Sequence, residues 1–78
     1  MNEKIFRRVA DIIIDKNCLT EEEVTPEARF KEDLGMDSLD TTEMAICTEK
    51  ELNITIHDGE YEDLKTVGDF VTLVESKL

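Results

Sequence analysis

Ser38 is the residue of this 78-residue chain best placed for chemistry. It stands in the run Asp33-Leu34-Gly35-Met36-Asp37-Ser38-Leu39-Asp40, directly after one carboxylate and two residues before another. A serine hydroxyl is a weak nucleophile until a positioned base removes its proton. The single histidine, His57, falls in a connection far along the chain, and carboxylates are poor bases for a hydroxyl. The surroundings do not match Gly-x-Ser-x-Gly, and no strand pattern leads into the serine. No catalytic residue is therefore assigned. As an acceptor of another enzyme's chemistry, Ser38 is better equipped. The first turn of a helix favours an anion such as a phosphate ester, through free backbone N–H groups and the helix dipole. Asp37 and Asp40 oppose that charge, yet their hard oxygens suit a magnesium ion held by a modifying enzyme.

That reading needs a helix to begin at Ser38. Gly35 permits a sharp turn just before it, Asp37 is a natural N-cap, and Asp40 three residues on completes a capping-box pair. The helix is expected from Ser38 to about Leu52. Steps of 100° place Thr41, Met44, Ala45, Thr48 and Leu52 on one side, the core face. Leu39, Thr42, Glu43, Ile46 and Lys50 fall on another, flanking the serine. Leu39 and Ile46 are then apolar residues outside the core stripe, ringed by charge. They are either scattered surface hydrophobes, which are common, or the anchors of a docking patch.

The other elements follow from periodicity. Ile5, Phe6, Val9, Ile12 and Ile13 recur at three- and four-residue spacings between charges, which predicts an amphipathic helix over Glu3–Asp15. Ile14 breaks that stripe. From Lys16 to Asp37 the periodicity is lost and Pro26 argues against a long helix. Leu19, Val24, Ala28, Phe30 and Leu34 are expected to anchor this long loop. Asn53–Ile56 alternates but has no partner strand, so it reads as an extended connection with Ile54 and Ile56 inward. Gly59 marks a turn, and Tyr61–Leu64 has room for one helical turn. Thr66 and Asp69 form a second capping box opening the last helix, whose core face is Val67, Phe70, Val71 and Val74, with Leu73 beside it. The fold class is all-α: one domain over residues 1–78, a small bundle of three main helices and one short one.

Charge narrows the partners. The net charge is -11. Between Glu32 and Asp63 stand eleven acids and one base, Lys50, so this segment carries nearly all the excess. No basic patch is available for nucleic acid or an anionic membrane, whereas basic protein surfaces are suitable partners. The calcium-loop pattern fails, because counting from Asp33 puts Ser38 at the required glycine and Met44 at the final ligand. Cys18 and Cys47 lack metal-ligand spacing and read as free thiols. Nothing resembles a signal peptide or membrane span, so the chain is expected to be a cytoplasmic monomer with no metal of its own.

The run Asp33–Asp40 resembles the prosthetic-group attachment motif of acyl carrier proteins, and the resemblance covers nearly the whole chain. It extends to an amphipathic first helix, a long loop, Asp-Ser-Leu opening the second helix and Thr66-Val67-Gly68-Asp69 opening the last. The resemblance implies that Ser38, beside Asp37, carries 4′-phosphopantetheine, transferred from coenzyme A by a magnesium-dependent phosphopantetheinyl transferase. Acyl groups would ride as thioesters on its terminal thiol. It further implies that Leu39, Asp40, Thr42, Glu43 and Ile46 dock the transferase and acyl-processing enzymes through their basic surfaces. Met44, Ala45, Thr48, Ile56 and Leu64 would line a cavity for the acyl chain. Lys50, Cys47 and Thr48 depart from the family's pattern. If Thr48 faces the core, its hydroxyl needs a partner, most simply a carbonyl one turn back. Fatty acid synthesis is the expected pathway. A dedicated carrier, polyketide-like or for an aminoacyl or D-alanyl group, is the alternative.

Overall fold

The computed structural model describes all 78 residues, as four helices: α1 (Glu3–Asn17), α2 (Ser38–Leu52), α3 (Asp58–Tyr61) and α4 (Val67–Lys77). Each long helix starts at a side chain able to cap it. The Asn2 side chain accepts from the N–H groups of Lys4 and Ile5. Asp37 and Asp40 form a reciprocal capping box on α2, as do Thr66 and Asp69 on α4. These pairings satisfy backbone donors that an uncapped helix start leaves open. The C-terminal ends of α1 and α2 close with Cys18 and Asn53 in the left-handed conformation.

The core lies where the helical periodicities meet. Val67, Phe70, Val71 and Val74 of α4 are fully buried, each burial worth roughly 1.5–3 kcal/mol relative to exposure. From α1 come Val9, Ala10 and Ile13, and from α2 Met44, Ala45 and Thr48. Two details differ from the periodicity. Ala10 is buried while Ile12 is only half-buried, and Ile14 packs against the core as a partly buried side chain. The Thr48 hydroxyl donates to the Met44 carbonyl at 2.8 Å, one turn back, so its burial leaves no polar group stranded.

The long loop is tied down by backbone pairing with the segment that enters α4. Phe30 N–H donates to the Lys65 carbonyl, Val67 N–H to the Ala28 carbonyl and Gly68 N–H to the Pro26 carbonyl, at 2.9, 3.0 and 2.8 Å. An isolated antiparallel bridge joins Arg29 to Thr66, and no strand forms. Val24, Ala28, Phe30 and Leu34 are buried as expected and Leu19 packs partly buried against them. Met36, which the loop reading passed over, is also buried, and its N–H donates to the Phe30 carbonyl at 2.8 Å.

The short helix corrects the sequence reading. It occupies Asp58–Tyr61, not Tyr61–Leu64, and so includes Gly59. Asp58 and Glu60 lie in its first turn, where the dipole favours acids, and Glu60 N–H donates to the His57 carbonyl at 2.9 Å. Lys77 of α4 then donates to Glu60 Oε1 at 2.8 Å, an anchor that the local sequence did not contain. Tyr61–Leu64 is a turn closed by Leu64 N–H to the Tyr61 carbonyl. Ile56 is buried and Ile54 half-buried, as the alternation suggested.

Candidate functional site

Ser38 is the first residue of α2 and is exposed. A chain of local contacts fixes its position. Arg29 donates from its backbone N–H and its guanidinium to Asp33, which folds the loop back on itself. Those hydrogen bonds hold the Asp33 carboxyl below the ordinary carboxylate range and raise Arg29 above its own. Gly35 follows at φ 66°, a conformation that costs most other residues energy, and Met36 plugs into the core. Asp37 Oδ1 then accepts from Asp40 N–H at 2.9 Å, and Asp40 Oδ2 accepts from Asp37 N–H at 3.0 Å.

This capping arrangement leaves the serine's own first turn available. The N–H groups of Ser38 and Leu39 have no acceptor within the chain, and each cap carboxylate uses only one oxygen. The hydroxyls of Thr41 and Thr42 both donate to the Ser38 carbonyl, at 3.0 and 2.8 Å, which stiffens the base from which the serine projects. No group of three or more His, Cys, Asp or Glu converges on a metal position. His57 lies beyond the end of α2, at the N-cap of α3.

A groove of about 760 Å³ opens beside the serine, between the loop, the start of α2 and the α3 region. Phe30, Met36, Tyr61 and Leu64 give it apolar surface, while Asp37, Ser38, Thr41 and Thr42 form one wall. Of the five residues expected to line an acyl cavity, Leu64 borders this groove. Met44, Ala45, Thr48 and Ile56 are buried in the core and do not. Tyr61 is a groove residue that sequence reasoning missed. It is half-buried, and its hydroxyl lies 3.4 Å from Thr42 Oγ1, across from α2. The aromatic ring preceding an acidic turn was the only available signal.

The flank of α2 beside the serine is as the wheel drew it. Leu39 is 64% exposed and Ile46 44%, and Glu43 and Lys50 are exposed near them. Asp40 and Thr42 are half-buried, the first occupied in the cap and the second turned toward Tyr61. Cys47 is half-buried with a free thiol.

Residues 7–74 match the phosphopantetheine attachment site family. The chain belongs to the acyl carrier protein family. It is similar to the acyl carrier proteins of two Porphyromonas gingivalis strains, ATCC 33277 and W83. Each is 43% identical over 75 residues, covering 96% of this chain and 96% of the relative. The family is one of non-catalytic carriers. The geometry fits the prosthetic group: an exposed hydroxyl on a capped helix, two unpartnered N–H groups in the first turn, and a groove alongside. When bound, 4′-phosphopantetheine supplies the carrier with a flexible arm ending in a thiol. Phosphopantetheinyl transferase and acyl-processing enzymes are the partners that membership in this family entails. No helix of the carrier is long and apolar enough to cross a membrane.

Proposed function

We propose that Ser38 is the attachment residue, and that the carrier presents acyl thioesters to enzymes docking on the exposed flank of α2. One observation carries the assignment: the family match runs from 7 to 74, and Ser38 is the only serine within it. The other serine, Ser76, donates its hydroxyl to the Leu73 carbonyl in the last turn of α4. In loading, Ser38 Oγ attacks the β-phosphorus of coenzyme A, the phosphoanhydride bond breaks and adenosine 3′,5′-bisphosphate leaves. The transferase supplies the base and magnesium that this chain lacks. Asp37 Oδ2, which takes no part in the cap, would be a hard oxygen ligand available to that ion.

Leu39 and Ile46 are the apolar anchors of the docking surface in this reading, with Glu43 and Asp40 supplying charge for basic partners. The thioester cargo is expected to enter between α2 and the α3 region, with Met44, Ala45, Thr48, Ile56 and Leu64 as its inner lining if the helices part. Fatty acid synthesis in the cytoplasm is the assigned setting, with the carrier acting as a monomer. A dedicated pathway is favoured by one observation, the hydroxyl groups that Thr41, Thr42 and Tyr61 bring to the lining of the groove.

Intact-protein mass spectrometry after incubation with coenzyme A, magnesium and a broad-specificity transferase tests the assignment. The expected result is a single phosphopantetheine adduct on the carrier and none on Ser38→Ala. An unmodified carrier beside a modified control carrier, or an adduct persisting on Ser38→Ala, would overturn it.

A further inference from the structure

We infer that the partner surface this carrier fits is not uniformly basic. It presents a base opposite Glu43 and, about 10 Å further along α2, an acid opposite Lys50. That partner chemistry rests on the docking face proposed above and deepens it.

Beyond the serine, the exposed residues of α2 are Leu39, Glu43, Ile46, Lys50 and Glu51. The first four recur at spacings of four, three and four residues. At 100° per residue they fall within about 60° of arc, a single stripe roughly 16 Å long. Apolar, acidic, apolar and basic side chains alternate along it. Glu43 and Lys50 stand two turns apart with Ile46 between them, too far to pair with each other. The ion pairs of the carrier use Arg7, Arg8, Arg29 and Lys77, so neither charge on the stripe has a partner within the chain.

Lys50 is the only base among eleven acids between Glu32 and Asp63, and it falls on this stripe. A base in the last turn of a helix suits the dipole, but any position in that turn would serve. The acids on either side of Lys50 stand there against the dipole, and each is occupied within the fold. Glu49 Oε2 accepts from Ile56 N–H at 3.0 Å, and the Glu51 carboxylate lies 3.6 Å from the Arg8 guanidinium. Lys50 has no such internal task. Its exposed ammonium shares a face with Leu39 and Ile46, where a docking surface meets it.

A wholly basic surface laid along the stripe gains at Glu43 and loses at Lys50, because juxtaposed like charges repel. A surface carrying a base and then an acid gains at both. The order also fixes direction: laid the other way along α2, the same surface meets repulsion at both places. Two exposed charges thus select the partner and set its orientation relative to Ser38.

The test uses the phosphopantetheinyl transferase of the carrier's own host and, beside it, a transferase whose docking surface is wholly basic. Loading at low ionic strength is followed by intact mass for wild type and Lys50→Glu, both checked for native helicity by circular dichroism. With the host enzyme, Lys50→Glu is expected to load about fivefold more slowly, the upper range for one exposed ion pair. That defect is expected to fade as salt rises toward about 1 M. With the wholly basic enzyme the same substitution is expected to speed loading. A host-enzyme rate that Lys50→Glu leaves unchanged or raises would overturn the inference, as would a defect that salt does not relieve. Glu43→Lys separates this inference from the docking reading. If Glu43→Lys slows the host enzyme and Lys50→Glu does not, the docking face stands and the mixed-charge partner falls. If neither variant alters either enzyme's rate, both fall together.

Discussion

Gly68 at the start of α4 donates its N–H to the Pro26 carbonyl at 2.8 Å, and a Cβ on Gly68 would lie 2.9 Å from that same oxygen. The long loop therefore reaches α4 by backbone-to-backbone approach, and the atom a Cβ would meet first is a main-chain oxygen. Gly68→Ala is expected to destabilise the fold by about 1–2 kcal/mol, because overpacking outweighs alanine's better helix propensity. A urea unfolding midpoint at or above that of wild type would contradict this. The same substitution strains the tie that holds Phe30 and, through it, Met36 and the approach to Ser38. Phosphopantetheine loading should slow along with the loss of stability.

The end of α1 predicts the opposite sign. Cys18 is exposed and sits at φ 54°, where its Cβ crowds the backbone. Glycine takes this position freely, at some cost in unfolded-state entropy. Cys18→Gly is expected to gain about 0.5–1 kcal/mol, seen as a higher thermal midpoint in reducing buffer. A lower midpoint would show that the Cys18 side chain contributes packing that its exposure does not suggest.

How much of this was legible in the residues depends on the reach of each interaction. The capping boxes at Asp37–Asp40 and Thr66–Asp69, the Thr48 hydroxyl bond to Met44 and the core face of α4 all lie within one or two turns. Local rules were sufficient for them. The exposed Leu39 and Ile46 were legible for the same reason, since the wheel needs only the helix start. What the sequence concealed was long-range. Tyr61 meets Thr42 across 19 residues, and Glu60 meets Lys77 across 17. That second contact helps a four-residue helix form around Gly59, where local propensity alone indicated a turn. The burial of Met36 depends on a backbone bond to Phe30 that no periodicity announces.

Acid stability follows from three carboxylates whose pKa values are lowered. Asp33 is lowered by its hydrogen bonds from Arg29, Glu60 by its hydrogen bond from Lys77, and Asp69 by the backbone N–H groups of Thr66 and Lys65. A lowered folded-state pKa means that the unfolded chain binds the proton first. Stabilisation is therefore complete above the ordinary carboxylate range and is lost as pH falls below about 4. Asp69→Asn should lower the urea midpoint at neutral pH and flatten the fall between about pH 4 and pH 2, because a titrating contributor is gone. A parallel acid limb in the variant would mean that the capping carboxylate contributes nothing through its ionisation.

The docking surface makes a prediction that separates apolar from electrostatic contributions. Ile46 is exposed on the flank of α2, one turn from Glu43, and neither side chain takes part in a cap or a hydrogen bond. Ile46→Ala should therefore leave the unfolding midpoint nearly unchanged while lowering the rate of transferase loading by up to about tenfold, the effect of losing a central anchor. Glu43→Lys should also slow loading, but its effect should shrink as salt rises toward about 1 M, where screening extends only about 3 Å. The defect of Ile46→Ala should be far less sensitive to salt, since burial of apolar area does not depend on long-range attraction. Measured loading rates at two ionic strengths provide the comparison. Unchanged rates for both variants would place the interface elsewhere, and equal salt sensitivity would mean that Ile46 acts through the local arrangement of charge and not as a buried anchor.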